Sequence, residues 1–285
     1  MLTKTKYLIE KVMNNNVVLV TELQSRHEMI LIGRGIGYGK KDKAIVEFDQ
    51  TQIEKSFLTF NKKLKEEYFA LISQLDEKVI EICEEIISIA ERSLGKLNDH
   101  LHIVLTDHVG FALERIKMGI EINNPFLFEI KALYPHEFEI GKRGAEIINE
   151  RLGIQISEAE MGFIALYLQS ARQNKTISET VQDTRLLKEA VEIIEEALNF
   201  KINPEEPAYI RFINHLKLKN NQIQMEKYAV NPLLNTIKEQ FKHSFSIAKK
   251  IAAHICRYKD IDITEDEIGY MAIHIERMKA LANNK

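Results

Sequence analysis

The chain has 285 residues, which suits two or three domains better than one. It is 45% hydrophobic and 28% charged, with no Trp and only 5 Pro, the composition of a soluble and mainly helical protein; no apolar run nears the ~18 residues that cross a bilayer. The net charge of −3 is uneven: residues 1–43 hold eight Lys or Arg against four Asp or Glu, so a +4 head precedes a −7 remainder and points to a polyanion partner for the head. The opening MLTKTKYLIEKVMNNN lacks an apolar stretch and a small-residue cleavage site, so it reads as no signal peptide. Cys83 and Cys256 fit no metal or redox spacing, and a cytoplasmic setting is expected.

Residues 5–60 read as strands and turns. Val17–Thr21 and Met29–Ile32 are aliphatic and β-branched runs, and Asn14-Asn15-Asn16 is a turn signal. Gly33-Arg34-Gly35-Ile36-Gly37-Tyr38-Gly39 then places Gly at every second position. It matches neither a Walker loop nor a dinucleotide fingerprint, so it predicts a bulged loop or a close backbone approach. A sheet of this size buries little apolar surface alone, and the head is expected to dimerise.

From about residue 62 the apolar period shifts to near 3.6, and Lys78–Leu94 predicts a long amphipathic helix. An internal repeat organises the rest. Ser157–Tyr167 aligns with Thr264–His274 at an offset of 107, and the alignment runs back without gaps through Asn124-Pro125 and Asn231-Pro232. Further back, His108 meets His215. The repeat predicts two homologous helical domains. Ser157 with Glu160, and Thr264 with Glu267, read as capping boxes that open a helix in each copy. Gly162 and Gly269, one turn inside, predict close helix packing. Phe163, Leu166, Tyr270 and Ile273 are expected in the core. The Asn-Pro pairs predict helix starts with Pro in the first turn.

Of nine His, four (His27, His100, His102 and His254) have no His at the equivalent repeat position, and His136 and His243 fall at helix starts. His108, His215 and His274 remain, with Tyr167 standing opposite His274. They fit buried packing residues or reversible phosphorylation; nearby ligands for a metal are lacking. Spacing alone leaves the choice open.

These residues resemble the bacterial transcriptional antiterminators of the β-glucoside, sucrose and glucose type, over nearly the whole chain. Lys11–Asn16 and Ile32–Lys41 are similar to their co-antiterminator RNA-binding domain. Leu105-Thr-Asp-His108, Asn124-Pro-Phe-Leu127, Leu133-Tyr134-Pro135 and Gly162-Phe-Ile-Ala165 resemble the first phosphotransferase-system regulation domain. Phe212-Ile-Asn-His215 and Ala272-Ile-His274 resemble the second. The resemblance implies a small antiparallel all-β head at 1–62, then two all-α bundles at 73–178 and 179–285. It implies that the head, as a homodimer, binds a leader-RNA hairpin overlapping a terminator, so that polymerase reads into sugar-uptake genes. The positions matching the family's RNA contacts are Lys11, Asn16, Gly33, Arg34 and Tyr38. The matching phosphoacceptors are His108, His215 and His274, the first inhibitory and served by a sugar-specific enzyme II component, the second pair served by HPr. Tyr167 departs from the His of many members. The Gly-Ile-Gly-Tyr-Gly-Lys-Lys segment looks nearest the glucose-type members, with sucrose or β-glucoside control open. No catalytic residue, cofactor, metal or membrane insertion is implied, and the chain is not expected to be an enzyme. The alternative is a DNA-binding activator with similar regulation domains, which requires a recognition helix in the head.

Overall fold

The computed structural model describes residues 4–13, 15–33, 35–49, 52–53, 55–58, 75–223, 230–259 and 261–283. Contacts divide the chain into two compact units, 1–122 with 139–174, and 123–138 with 175–285. Among the described residues no helix is long and apolar enough to cross a membrane.

The first unit opens with an antiparallel five-stranded sheet: β1 (Thr5–Val12), β2 (Val17–Glu22), β3 (Glu28–Ile32), β4 (Ile45–Phe48) and β5 (Lys55–Leu58), in the order β4-β1-β2-β3-β5. Alternation in β2 sends Val18 and Val20 to one face and Val17 and Leu19 to the other. The first face closes over Tyr7, Ile9, Leu31, Ile36 and Phe48. On the second face, Val17, Leu19 and Ile30 pack on Ile80, with Leu75 and Ile103 beside them. The head thus buries both faces within one chain. The described residues from 4 to 58 hold strands and turns and no helix, which removes the recognition helix that the DNA-binding alternative needs.

Two long helices follow, α1 (Glu77–Leu94) and α2 (Leu101–Lys117). Asp76 caps α1 by accepting from Lys78 N at 2.8 Å, and Gly95 (φ 85°) follows its last turn. The apolar positions Val79, Ile82, Cys83, Ile86, Ile87 and Ala90 recur at helical spacing and form one stripe. They meet Leu101, Leu105, Val109 and Leu113 of α2, and Ile140, Ile147, Ile164 and Leu168 from two later helices. These later helices are α4 (Pro135–Leu152) and α5 (Glu158–Arg172), preceded by the short α3 (Leu127–Leu133). A Cβ at Gly141 of α4 would stand 2.5 Å from the Met161 carbonyl oxygen of α5. That neighbour is backbone and cannot swing aside. Gly141→Ala is therefore expected to cost at least about 1–3 kcal/mol and to lower the melting temperature of the whole chain, measured by calorimetry.

The second unit contains α3, then α6 (Ile177–Leu198), α7 (Pro207–Ile223), α8 (Leu234–Gln240), α9 (Lys242–Tyr258) and α10 (Glu265–Asn283). Here α10 packs on α9, α7 and α8, and α3 packs on α7 and α6. Glu129 of α3 is buried and accepts from Tyr209 OH of α7 at 3.1 Å. Burial pushes its carboxyl above the usual range.

Several expectations change. The Asn-Pro pairs do not place Pro in a helical turn, since α3 begins at Leu127 and α8 at Leu234. Asn124 and Asn231 instead turn the chain, accepting from Phe126 N at 3.0 Å and Leu233 N at 3.1 Å. The Ser157 side chain makes no capping hydrogen bond, and Thr264 makes only a long 3.4 Å contact from Glu267 N. A reciprocal capping box does form, between Thr176 and Glu179 at the start of α6. Gly269 packs closely as predicted: a Cβ there would lie 2.7 Å from Asn231 Nδ2. Leu166 is fully buried, whereas Phe163, Tyr270 and Ile273 are half-buried, and Phe163 and Tyr270 lie against His108 and His215.

Candidate functional site

In the head, the β1–β2 turn and the glycine segment form one knot of hydrogen bonds. Gly33 N donates to Asn16 O at 3.0 Å, Gly37 N to Asn15 O at 2.8 Å, and Gly35 N to Asn16 Oδ1 at 2.7 Å. Three successive turns, Ile36 N to Gly33 O, Tyr38 N to Gly35 O and Lys40 N to Gly37 O, wind the segment between them. Gly35 and Gly39 have φ of 70° and 65°, which glycine adopts without a Cβ clash. The result is a rigid loop that presents Tyr38, 75% exposed, next to exposed Lys40 and Lys41. Asn16, Gly33 and Tyr38 are thus brought together. Lys11 is exposed on β1 opposite Leu19, and Arg34 lies outside the described residues.

The Asn16 side chain also faces the helical part of its unit. Its Nδ2 donates to Glu81 Oε1 at 2.5 Å, and Asn15 N donates to Glu77 Oε1 at 3.2 Å, both on α1. Arg151 of α4 lies 3.9 Å from Glu81 and pairs closely with Glu85.

His108 lies on α2, its side chain 12% exposed. Its ring centroid is 4.9 Å from that of Tyr167 and 5.7 Å from that of Phe163, both on α5. Nε2 lies 3.3 Å from Glu160 Oε2, while the other Glu160 oxygen is held by Arg115. Burial pushes the Glu160 carboxyl up, but His108 and Arg115 outweigh it and hold it below the usual range. Burial and the charge of Asp107 raise the Tyr167 phenol, so it stays protonated at neutral pH. This arrangement replaces the capping role expected of Glu160. The carboxylate that sequence reading assigned to a helix end is aimed at a histidine.

The second unit repeats the theme with a change. His215 of α7 stacks on His274 of α10 at 4.8 Å and 37°, nearly the geometry of His108 on Tyr167, and Tyr270 lies 6.4 Å away. His215 and Glu267 line one cavity of about 40 Å³ with Leu186, Leu216 and Met271. Burial, then the charges of Arg277 and Arg211, lowers the His274 pKa from 6.5. The folded ring therefore resists protonation that the unfolded chain accepts. Its contribution to stability is full above pH 6.5 and is lost as pH falls from there through the folded value. Chemical denaturation at pH 7.5 and pH 5.5 is expected to show a smaller pH-dependent loss of stability in His274→Gln.

His102 pairs with Glu84 in the core at 2.9 Å, His254 with Glu189 at 2.8 Å, and His136 and His243 are exposed near the starts of α4 and α9. Among the described residues no group of His, Cys, Asp and Glu could hold a metal ion. Sequence reasoning missed Glu160, Glu267 and Arg115. The two carboxylates left a signal, a Ser/Thr-x-x-Glu kept at both copies of the repeat.

Known proteins match the whole architecture. The model for the CAT RNA binding domain matches residues 7–66, and that for the PRD domain matches twice, at 84–171 and 188–278. "Transcription antiterminator LicT" of Bacillus subtilis (strain 168) is 36% identical over 95% of this chain and 98% of its own. "Beta-glucoside operon antiterminator" of Dickeya chrysanthemi is 34% identical over 95% of this chain and 96% of its own. A solved structure titled "Crystal structure of GlcT CAT-PRDI" superposes with a TM-score of 0.53 at 38% identity, covering 59% of this chain and 99% of that one.

Proposed function

The chain belongs to the transcription antiterminators that join a CAT RNA-binding domain to two PRD domains, and from that membership we propose how its own residues act. The family regulates transcription through RNA and is not enzymatic. In our reading the head spans 1–62 and the regulation domains 73–178 and 179–285. As a homodimer in the cytoplasm, the head binds an antiterminator hairpin in leader RNA and keeps the overlapping terminator from forming. Tyr38 stacks on an unpaired base, Asn16 reads a base edge, Gly33 admits close backbone approach, and Lys11 and Arg34 neutralise phosphates. The observation that carries this reading is Tyr38, an aromatic ring 75% exposed on a loop locked by Asn16.

The regulation domains supply the control. A sugar-specific enzyme II component phosphorylates His108 when sugar is absent and inactivates the protein; HPr phosphorylates His215 and His274. Each transfer adds about −1.5 to −2 charges, by analogy with phosphate on a hydroxyl, in a packed site that must rearrange to accept them. The genes controlled are those for glucose-type uptake, with β-glucoside or sucrose genes the second choice. In vitro transcription through the cognate leader tests the core of this. The full chain is expected to raise read-through past the terminator, and read-through equal to that without protein would refute the proposal.

A further inference from the structure

The reaction proposed for His108 leaves one chemical choice open: which ring nitrogen takes the phosphoryl group. His108 Nε2 and Glu160 Oε2 are both buried and lie 3.3 Å apart, and neither atom makes a hydrogen bond among the described residues, the contact being a close approach of two polar atoms. A neutral imidazole carries its proton on one nitrogen and its lone pair on the other. With the lone pair on Nε2, it would face a carboxylate lone pair in a dry interior, and both atoms would go unsatisfied. A proton on Nε2 turns the same contact into an attraction. Burial adds a second argument. The side chain keeps 12% of its surface and Nε2 itself is buried, so a donor protein reaches the ring only through its other atoms.

From this geometry we infer that Glu160 holds His108 as the Nε2–H tautomer and that the phosphoryl group is accepted on Nδ1. The inference rests on His108 being a phosphoacceptor, as proposed above. In the transfer, the Nδ1 lone pair forms a bond to phosphorus while the bond between phosphorus and the donor protein's carrier atom breaks. The electron pair of that bond stays on the donor's side chain. His108 gives up its lone pair but keeps the Nε2 proton, so positive charge develops on the ring beside Glu160. The carboxylate stabilises that charge, much as a buried carboxylate steadies the imidazolium of a hydrolytic triad. Arg115 keeps Glu160 ionised from its other side. Glu160 is thus a positioning residue, acting through His108. In the second unit Glu267 occupies the equivalent repeat position and lines one cavity with His215.

Two measurements on the full chain test this. Long-range proton–nitrogen NMR of the unphosphorylated protein, with the His108 signals identified by their loss in His108→Gln, is expected to place the proton on Nε2. In the His215→Ala/His274→Ala variant, phospho-HPr and the phosphorylated sugar-specific component serve as donors. The phosphohistidine formed is expected to be the Nδ1 isomer by phosphorus–nitrogen coupling. Glu160→Gln, whose amide oxygen still accepts from Nε2–H, is expected to slow that phosphorylation by about ten- to a hundredfold without moving it to Nε2. A lone pair found on Nε2, or phosphate found there, overturns the inference and leaves His108 an acceptor. No phosphate on His108 from either donor overturns the regulatory reading and the inference with it.

Discussion

Tyr38→Ala is expected to weaken binding of the full chain to its leader hairpin by roughly fivefold to more than a hundredfold, since base–aromatic stacking contributes about 1–3 kcal/mol per base. The ring is 75% exposed, so its loss leaves the sheet intact and the melting temperature unchanged within a degree or two. Because no charge is removed, the dependence of affinity on salt should keep its slope. Lys11→Ala provides the contrast: it removes one phosphate contact and should flatten that slope by about 0.7, the value for single-stranded contacts. Asn16→Ala should combine a direct and an indirect loss. Its Oδ1 fixes Gly35 N at 2.7 Å, so the loop carrying Tyr38 loosens along with the lost base contact. Filter binding across a salt series separates the three variants. Affinity for the hairpin unchanged in both Tyr38→Ala and Asn16→Ala would refute this face as the RNA interface.

The second large effect concerns sugar dependence. His108→Gln is expected to raise read-through without sugar to near the induced level. The amide places an N–H where the imidazole stood, close to Glu160, and Arg115 continues to hold that carboxylate, but an amide accepts no phosphoryl group. Tyr167→His should act in the opposite direction. It rebuilds in the first unit the His–His stacking of the second, where the centroids are 4.8 Å apart against 4.9 Å here. With a second acceptor, uninduced expression should fall. A reporter placed behind the leader, with and without inducing sugar, reads both. Sugar dependence surviving unchanged in His108→Gln would remove the inhibitory role.

Much of this was legible in the sequence because it rests on periodicity. The apolar residues from Val79 to Ala90 repeat at helical spacing, the offset of 107 aligns His108 with His215, and Val17 to Val20 form an unbroken run of strand formers. What was not legible depends on direction. Ser157 with Glu160 has the spacing of a capping box, and spacing cannot tell whether a carboxylate turns back to its helix end or across to α2. Arg115 decides it, since a buried guanidinium draws the carboxylate inward. The Asn-Pro starts failed for a related reason: the Asn side chain competes for backbone donors and delays the helix by two residues. Contacts between the Asn15–Asn16 turn and α1 span more than sixty residues, beyond the reach of any local pattern.

The passage of the chain from one compact unit to the other has a consequence for recombination. It leaves the first unit after 122, returns at 139 and leaves again after 174. A breakpoint at 178, the boundary expected between the two regulation domains, parts α3 from α7 and from nearly all of α6 and strips the buried Glu129 carboxylate of its Tyr209 donor. A graft that carries 123–138 along with 175–285 keeps that pair together. Sequence exchange between relatives should therefore be tolerated in two pieces more readily than in one.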